Sequence, residues 1–208
     1  MWNVPINIKN VIFDVGGVLL EWNPPAVVAR LHPDPATQAL IRREMFEHAD
    51  WHEFDRGGLN EAQAVEHFAR TTGLTTRETR ALIDATRESL APLPGTVQLV
   101  EDLAAAGVHL YLLSNMPVST FDYLSKKHRF FARFKYLVIS GAILLIKPDP
   151  AIYRHLVEKT GIVPAESVFI DDLEKNVTAA RDCGLHAIQF RDPASCRQEL
   201  RNYLPTLD

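Results

Sequence analysis

The chain has 208 residues, of which 47% are hydrophobic and 23% charged, with a formal net charge of −4 and an isoelectric point near 6.1. This length suits one domain, or one domain carrying an insertion, and the composition excludes a disordered chain. The acidic balance provides no general attraction for nucleic acid or an anionic membrane, and no apolar run is long enough to span a bilayer.

The N-terminus and the cysteines favour a cytoplasmic protein. Residues 1–10 contain no basic segment followed by an apolar core, so they do not form a secretion signal. Cys183 and Cys196 form no CxxC motif, and free thiols are the simplest interpretation. We therefore expect a cytoplasmic location.

The first predicted strand ends on a single carboxylate. Residues 11–13 form a continuous apolar run, Val-Ile-Phe, which is typical of a strand buried on both faces. Asp14 follows directly, and glycines occupy positions 16 and 17. An isolated acid at the end of a buried strand is a candidate for chemistry.

Residues 24–91 contain no strand pattern. They hold four segments with a helix cap candidate and an apolar stripe each, namely 23–31, 34–48, 60–73 and 75–90. Residues 90–95, Leu-Ala-Pro-Leu-Pro-Gly, are a plausible return hinge. We therefore predict an inserted four-helix cap over residues 21–91, and a core formed by residues 1–20 and 92–208.

From Leu110 onward, short apolar runs alternate with helical patterns. Three helical segments end on glycines, namely Gly107, Gly161 and Gly184, and the second also begins with Asp149 and Pro150 as cap and first residue. The apolar runs predict four further strands, at 110–114, 136–140, 168–171 and 186–190. This order predicts an α/β fold with a doubly wound, mostly parallel, Rossmann-like sheet.

The segment 126–135 mixes basic and aromatic residues, as proteins that bind single-stranded nucleic acid do. Its place between two predicted strands favours instead a connecting helix, with Phe130, Phe131 and Phe134 packed on the sheet. We therefore expect neither nucleic acid nor a membrane as a partner.

Polar side chains follow four of the predicted strands. In an open parallel sheet, ligands bind beyond the carboxyl ends of the strands, so these residues are expected to converge. Each alone is more often a helix cap or a turn, but the whole set in this order is hard to obtain from structural needs. The residues are Asp14, Ser114, Asn115, Lys147, Asp171 and Asp172.

These residue types suit phosphoryl transfer. A carboxylate such as Asp14 can attack phosphorus and form an acyl phosphate, which divides one difficult displacement into two steps. Because carboxylate and phosphate are both anions, cations must bring them together, and Lys147 supplies one. Mg²⁺ would supply more charge, held by the hard oxygens of Asp14 and Asp172. Ser114, with backbone N–H groups at the start of a helix, would hold the phosphate oxygens.

Four ordered motifs resemble those of the haloacid dehalogenase superfamily of aspartate-nucleophile hydrolases. They are FDVGGVL, LLSN, KPDPAIY and FIDDLEKNVTAA. The resemblance covers nearly the whole chain and includes a helical cap after the first strand. The nearest branch is that of the sugar-phosphatase-like members related to the N-terminal phosphatase domain of soluble epoxide hydrolases.

The resemblance implies a metal site. Asp14 would be the nucleophile and a Mg²⁺ ligand, and the backbone carbonyl of Gly16 would be a second ligand. Asp172 would bind the ion directly, and Asp171 would act through water or the neighbouring lysine. Asn176 would support the acid pair from the first turn of the following helix.

The resemblance also implies a phosphate site. Ser114 and the backbone of Asn115 would bind the phosphate group. Lys147 would neutralise its charge and would be catalytic together with Asp14. The substrate would be a small phosphorylated metabolite.

Substrate contacts are expected from the segment 51–58, where the family's cap places a loop over the active site. Trp51, His52 and Arg56 are the candidates, and an ordinary turn between helices is the alternative. His48 and His52 have the spacing of a metal-binding pair on a helix, but a third ligand is not apparent, so we do not favour a metal there.

Gly16 departs from the family pattern. Phosphatases of the family usually carry a second aspartate at this position, which protonates the leaving group and then activates water. Glycine keeps the backbone carbonyl but has no carboxyl group for proton transfer. One structural reason for glycine at position 16 would be a backbone conformation that glycine alone reaches easily. His52, Glu53 and Glu21 are the candidates for supplying the missing proton donor. The loss of this acid also leaves a catalytically weak binding or regulatory protein as an alternative function.

We therefore predict a Mg²⁺-dependent phosphohydrolase acting on a small metabolite such as a sugar phosphate. A carbon–halogen hydrolase is a further alternative, because it uses the same aspartate attack without a metal. The Asp171–Asp172 pair weighs against that alternative, since such an enzyme does not need it. The sequence leaves the oligomeric state and the individual substrate open.

Overall fold

The framework of the protein is a five-stranded parallel sheet. The structure is a computed structural model that describes residues 8–205 and 207. The strands are ordered β3-β2-β1-β4-β5, and every pairing is parallel. They are β1 (Asn10–Phe13), β2 (His109–Ser114), β3 (Tyr136–Ile139), β4 (Ser167–Asp171) and β5 (His186–Gln189).

The strand order places the start of the chain at the centre of the sheet. The chain moves outward from β1 to β3 on one side and then crosses to β4 and β5 on the other. The order therefore reverses beside β1, and this is where parallel α/β sheets open a crevice for ligands. Phe13 lies opposite Leu112 of β2 and Ile170 of β4, so the residues that follow these strands reach the crevice at similar heights.

The strand predictions are confirmed to within about one residue at each end, and so is the doubly wound α/β architecture. The segment used to judge the absence of a secretion signal falls largely on residues 1–7, which lie outside the described residues. The outermost ends of the predicted core ranges, 1–20 and 92–208, also lie outside them.

Helices cover both faces of the sheet. Val11 and Phe13 pack on one face with side chains from the helices over 94–105, 118–127 and 193–200, whereas Ile12 packs on the other with side chains from the helices over 150–160 and 174–182. This alternation is the period of two expected of a strand. The helices are α6 (Pro94–Ala105), α7 (Val118–Lys127), α8 (Ser140–Ile143), α9 (Pro150–Thr160), α10 (Glu174–Asp182) and α11 (Pro193–Leu200).

Local signals account for the ends of these helices. The Asp149 side chain accepts a hydrogen bond of 2.8 Å from the Ala151 amide at the start of α9, and Gly161 ends the helix with φ of 68°. The basic and aromatic segment 126–135 forms the end of α7 and a 3₁₀ turn, Arg129–Arg133. Its phenylalanines are buried on the sheet, as predicted.

The inserted residues form a helical layer with a hydrophobic core of its own. Val28, Ile41, Phe54, Phe68 and Leu82 are all buried there. The second helix continues through a π-helical turn, Arg42–Phe46. The helices are α1 (Pro24–Leu31), α2 (Pro35–Ile41), α3 (Ala49–Arg56), α4 (Glu61–Thr72) and α5 (Thr76–Glu88).

The structure adds one helix, α3, to the four predicted in the insertion. The segment expected to form a loop is helical because both of its ends are capped. The His48 side chain accepts a hydrogen bond of 3.2 Å from the Asp50 amide, and Gly57 ends the helix in the left-handed region with φ of 86°.

The two connections of the insertion run side by side. The Glu21 amide donates to the Ala91 carbonyl at 2.8 Å, and the Leu93 amide donates to the Leu19 carbonyl at 2.9 Å. Leu20 and Pro92 form an antiparallel bridge between these bonds. The predicted hinge is thus one half of a short two-stranded ladder. Over the described residues, no helix has both the length and the apolar character needed to cross a membrane.

Candidate active site

Three carboxylates meet at the crevice beside β1. Asp14 follows β1, Asp171 ends β4, and Asp172 comes next in the chain. One carboxylate oxygen from each lies within 4.8 Å of the others. Because β1 and β4 are neighbours in parallel register, the fold brings together the acids that the sequence analysis grouped.

Lys147 lies between these acids and is almost fully buried. Its Nζ is 2.9 Å from Asp14 Oδ1 and 2.6 Å from Asp171 Oδ2. The Asn115 side chain holds the lysine backbone from both sides. It donates to the Lys147 carbonyl at 3.0 Å and accepts from the Lys147 amide at 2.9 Å. The sequence analysis assigned only the Asn115 backbone, to phosphate, and missed this positioning contact.

Asp171 is held by donors on every side. The Asn176 amide group donates to both of its carboxylate oxygens, at 2.9 and 3.1 Å, and the Leu173 amide donates to Oδ1 at 2.9 Å. Tyr153 in turn donates to the Asn176 carbonyl at 2.9 Å. Asn176 therefore occupies the supporting position that the resemblance implied.

The cluster carries more negative than positive charge. Burial raises the pKa of Asp14 to about 7; the nearby charge of Lys147 opposes this shift and that of Asp171 adds to it. Burial, followed by the charge of Asp171, also raises the pKa of Asp172. Burial alone would lower the pKa of Lys147, but Asp14 and Asp171 raise it, so the lysine stays charged.

A divalent cation fits this arrangement. The excess negative charge is concentrated on carboxylate oxygens, which are the hard ligands that Mg²⁺ prefers. Asp14 and Asp172 both line the cavity described below, together with Gly16. Asp14, Asp172 and the Gly16 carbonyl are therefore the groups that would hold the ion, with Asp171 behind them.

A cavity of about 210 Å³ lies between the sheet edge and the insertion. Ser114 and Asp171 are buried behind its wall and are not among the described residues that line it. Its polar floor comes from the core residues Asp14, Gly16, Asn115, Lys147, Asp172 and Asn176. Its aromatic and aliphatic lining comes from Trp22, Phe46, Trp51, Phe54, Ile83, Leu90, Met116 and Leu173.

Two of the three expected substrate contacts line the cavity, and the third does not. Trp51 packs against Phe46, with ring centroids 4.7 Å apart, and lines the cavity as His52 does. Arg56 is not among the described lining residues, because its guanidinium pairs with Glu53 on the same helix. The substrate contact predicted for Arg56 therefore has no support from the lining of the cavity.

The histidines of the segment also separate. His48 caps α3 and lies near Asp50 and His67, within the insertion, whereas His52 lines the cavity. Burial, with a smaller effect from Lys175, lowers the pKa of His52. The spacing of the two histidines therefore does not produce a shared metal site.

Three charged residues that line the cavity were not predicted from the sequence: Asp55, Arg87 and Lys175. Asp55 lies within the segment that the sequence analysis singled out, one position before Arg56. The positions of Arg87 and Lys175 had no signal in the sequence, since a charged residue on a helix is ordinarily solvated.

The two glycines after Asp14 differ in what they require. Gly17 has φ of 75°, and a Cβ there would lie 2.6 Å from Asp172 Oδ2, so this position needs glycine. Gly16 lies outside the left-handed region, and a Cβ there would meet Trp22 at ordinary distances of 3.8 and 3.9 Å. The backbone therefore does not explain the missing acid at position 16.

Known proteins resemble this chain in sequence. The family model for haloacid dehalogenase-like hydrolases matches residues 8–184. A sesquiterpene phosphatase of Aspergillus oryzae is 30% identical over 193 residues, covering 93% of this chain and 95% of its own. A D-ribitol-5-phosphate phosphatase of Bacteroides thetaiotaomicron is 24% identical, covering 93% and 97%.

A solved structure has the same fold. It is a HAD family enzyme from Bacteroides thetaiotaomicron in complex with magnesium and inorganic phosphate. The TM-score is 0.74 at 22% identity, and the match covers 89% of this chain and 96% of the other. An L-2-haloacid dehalogenase from Xanthobacter autotrophicus also matches, with a TM-score of 0.66, so the fold by itself does not separate the two chemistries.

Proposed function

The chain belongs to the haloacid dehalogenase-like hydrolases, and we propose that it hydrolyses phosphate monoesters through an aspartyl phosphate on Asp14. The observation that carries this proposal is the position of Lys147, which contacts both Asp14 and Asp171 inside a cluster of three acids. A metal-free carbon–halogen hydrolase would not need that concentration of carboxylates.

The two carboxylate oxygens of Asp14 differ in the hydrogen bonds that they accept. Oδ1 accepts from the Val15 amide at 2.7 Å and from Lys147 Nζ at 2.9 Å. Among the described residues, no donor is recorded for Oδ2, and we assign it as the nucleophile. Lys147 would draw the phosphate towards this oxygen, and the Asn115 backbone at the end of β2 would hold the phosphate. The predicted contact from Ser114 would require the phosphate to reach a hydroxyl that is buried behind the described lining residues.

The cofactor of the proposed reaction is Mg²⁺. Asp14, Asp172 and the Gly16 carbonyl would hold the ion, and Asp171 would assist through water or through Lys147. When bound, the ion would offset the repulsion between the phosphate and these carboxylates. The donor chemistry of the cluster supports this assignment over softer metals.

The lining of the cavity favours a substrate with an apolar alcohol. The sequence predicts a sugar phosphate, whose hydroxyl groups need hydrogen-bonding partners. The insertion instead lines the cavity with the apolar side chains Trp22, Phe46, Trp51, Phe54 and Ile83, beside the polar residues His52, Asp55, Thr86 and Arg87. Covering an apolar chain with such side chains contributes roughly 25 cal/mol per Å². We therefore propose a phosphorylated apolar alcohol of the prenyl type, with sugar phosphates as the alternative.

Phosphate release from p-nitrophenyl phosphate tests the reaction. We expect activity with Mg²⁺, loss in EDTA and recovery when Mg²⁺ is restored. Asp14→Asn keeps the size of the side chain but removes the attacking charge, so turnover should vanish. Full activity in EDTA would revive the dehalogenase alternative, and near-normal turnover by Asp14→Asn would exclude covalent catalysis by this residue. No turnover of any phosphate ester would favour a binding or regulatory protein.

A pair of substrates tests the assignment of the alcohol. We expect a higher kcat/KM for a prenyl monophosphate than for ribitol 5-phosphate. Trp51→Ala should lower kcat/KM for the prenyl ester by about 10- to 100-fold, since it removes a buried aromatic contact. The control is Val163→Ala, which changes an exposed apolar residue away from the cavity. A preference for the polyol ester would contradict the proposal.

A further inference from the structure

We infer that Asp55 is the acid–base group of the reaction and replaces, from the insertion, the carboxyl group that Gly16 lacks. This inference rests on the proposed phosphohydrolase function. It assigns the proton transfers to a residue on a different element from the nucleophile. Three observations support it: the position of Asp55, the way its backbone is held, and the state of its carboxyl group.

The first observation is position. Asp55 lies in the last turn of α3 and lines the same cavity as Asp14 and Gly16. It approaches from the insertion, whereas the other two line the floor. The indole of Trp51, one helical turn earlier, provides a hydrogen bond to the Asp55 carboxyl group. The side chain is thus directed by a neighbour that also lines the cavity.

The second observation is anchoring. The Ser140 hydroxyl donates to the Asp55 carbonyl at 2.6 Å and accepts from the Met116 amide at 2.9 Å. Ser140 begins the short helix after β3, and Met116 lies in the loop after β2, so one hydroxyl joins α3 to the ends of both strands. A carboxyl group held by fixed elements can be placed accurately enough for proton transfer.

Close packing reinforces this anchor. A Cβ built on Gly57 would lie 2.5 Å from the carbonyl oxygen of Gly141, so the end of α3 rests directly on the backbone of the core. Gly141 is equally confined, since a Cβ there would lie 2.9 Å from the Met116 carbonyl oxygen. The two glycines allow α3 to approach the sheet edge closely, next to Asp55.

The third observation is the state of the carboxyl group. Burial raises the pKa of Asp55 well above its usual value, and the nearby charge of Asp14 raises it further. Lys147 and the Trp51 indole oppose these effects only in part. Burial therefore favours the protonated form of this carboxyl group, which is the form that can donate a proton.

The other candidates are less suited to the role. Glu53 pairs with Arg56, and Glu21 is exposed; neither is among the described residues that line the cavity. His52 lines it, but burial and Lys175 favour its neutral form, which has no extra proton to donate. Asp55 combines a carboxyl group, a place in the cavity and a fixed backbone.

The proton transfers balance over two steps. Asp14 Oδ2 forms a bond to phosphorus while the bond to the alcohol oxygen breaks, and that oxygen takes the proton of Asp55. The alcohol then leaves. Asp55, now a carboxylate, removes a proton from water as the water oxygen attacks phosphorus. The bond between phosphorus and Asp14 breaks, which releases inorganic phosphate and returns Asp55 to its protonated form.

The test is Asp55→Asn, compared with Glu53→Gln as a matched change on the same helix. Activity is measured with Mg²⁺ on aryl and alkyl phosphates whose leaving groups differ in pKa. We expect the wild-type rate to depend weakly on the leaving group. Asp55→Asn should lower kcat for alkyl phosphates by about 10²- to 10⁴-fold and show a steep dependence. Glu53→Gln should behave as the wild type.

A second readout follows the covalent step. With p-nitrophenyl phosphate the leaving group needs little protonation, so Asp55→Asn should still form the aspartyl phosphate. Without the base, the intermediate should accumulate and give a burst of p-nitrophenolate close to one per enzyme. Mass spectrometry after acid quenching should place the phosphoryl group on Asp14. A merely structural role for Asp55 would slow both steps and give no burst.

The outcomes separate the two proposals. A wild type without Mg²⁺-dependent phosphatase activity removes the proposed function and this inference with it. An active wild type whose leaving-group dependence and burst are unchanged in Asp55→Asn overturns the inference alone. Gly16→Asp combined with Asp55→Asn should recover activity on alkyl phosphates, because position 16 accommodates a Cβ. Asp55→Ser provides the same comparison if the asparagine variant does not fold.

Discussion

Lys147 balances a concentration of negative charge that the sheet creates by bringing two strand ends together. Its ammonium group is buried and contacts Asp14 and Asp171 directly. A buried ion pair contributes little net stability, but the removal of one partner leaves the other charge unpaired in a poorly solvated place. The lysine should therefore matter for folding as well as for binding phosphate.

We predict that Lys147→Met destabilises the metal-free protein by about 3–5 kcal/mol. The deficit should shrink as the pH falls, because protonation removes the charges that the lysine balances. The control is Lys175→Met, since Lys175 lines the same cavity but is exposed. Urea unfolding at neutral and acidic pH measures the free energy of unfolding of both variants. An equal effect of the two variants would mean that burial of the charge is not the cause.

The difference between Asp55 and Arg56 marks the limit of what could be predicted for single residues. The predicted segment contains both residues, but Arg56 was named from it, whereas Asp55 is the one that lines the cavity. Consecutive residues on a helix point about 100° apart, so the rotation of α3 decides which one faces the cavity. That rotation follows from the packing of Trp51 and Phe54 in the core of the insertion, and neighbouring residues alone do not encode it.

At the scale of elements, local signals were sufficient wherever one residue defines an end. The apolar runs predicted the positions of the strands, and Asp149 and Gly161 predicted the first and last residues of α9. Helix α3 was missed because it spans only Ala49–Arg56 and begins with a histidine cap, which is not among the preferred capping residues. Its formation depends on the surface that it covers, which only the assembled fold provides.

The junction of α3 with the core is the element that we expect to be most sensitive to substitution. Gly57→Ala requires a left-handed alanine and also a Cβ 2.5 Å from the Gly141 carbonyl oxygen. Gly73→Ala, at the end of α4, requires the same backbone conformation with open space around the Cβ. The pair therefore separates backbone strain from close contact within one insertion.

We predict that Gly73→Ala costs about 1 kcal/mol of stability. Gly57→Ala should cost about 1–3 kcal/mol more, because its Cβ forces α3 away from the core. The same movement should lower phosphatase activity by about 10-fold or more, because it displaces the side chains that α3 contributes to the cavity. Thermal unfolding and kcat measure the two effects. Similar losses in both variants would show that the contact with Gly141 has little energetic importance.

For the whole molecule, the acid cluster predicts that the binding of a divalent cation increases stability. The raised pKa of Asp14 means that its ionised form is less favourable in the folded chain than in the unfolded one. A cation that binds only the folded chain should offset the free-energy cost of keeping Asp14 ionised there, because its charge attracts the carboxylate.

We predict that Mg²⁺ raises the melting temperature, with a gain of about 2.7 kcal/mol at a hundred times its dissociation constant. EDTA should reverse the change, and NaCl at equal ionic strength should not reproduce it. Asp14→Asn should be at least as stable as the wild type without metal and should respond less to Mg²⁺. An equal response in both proteins would place the ion elsewhere.

The ladder between residues 19–21 and 91–93 has an evolutionary consequence. Because the core already holds these two points together, a segment between them can change in length or be exchanged at little cost in loop closure. Selectivity would then be inherited with the insertion, and the nucleophile with the core. If Asp55 transfers the protons, part of the catalytic machinery is inherited with the insertion as well. A chimaera that combines this core with a foreign insertion should therefore require an acid at position 16, so the two segments have to evolve together.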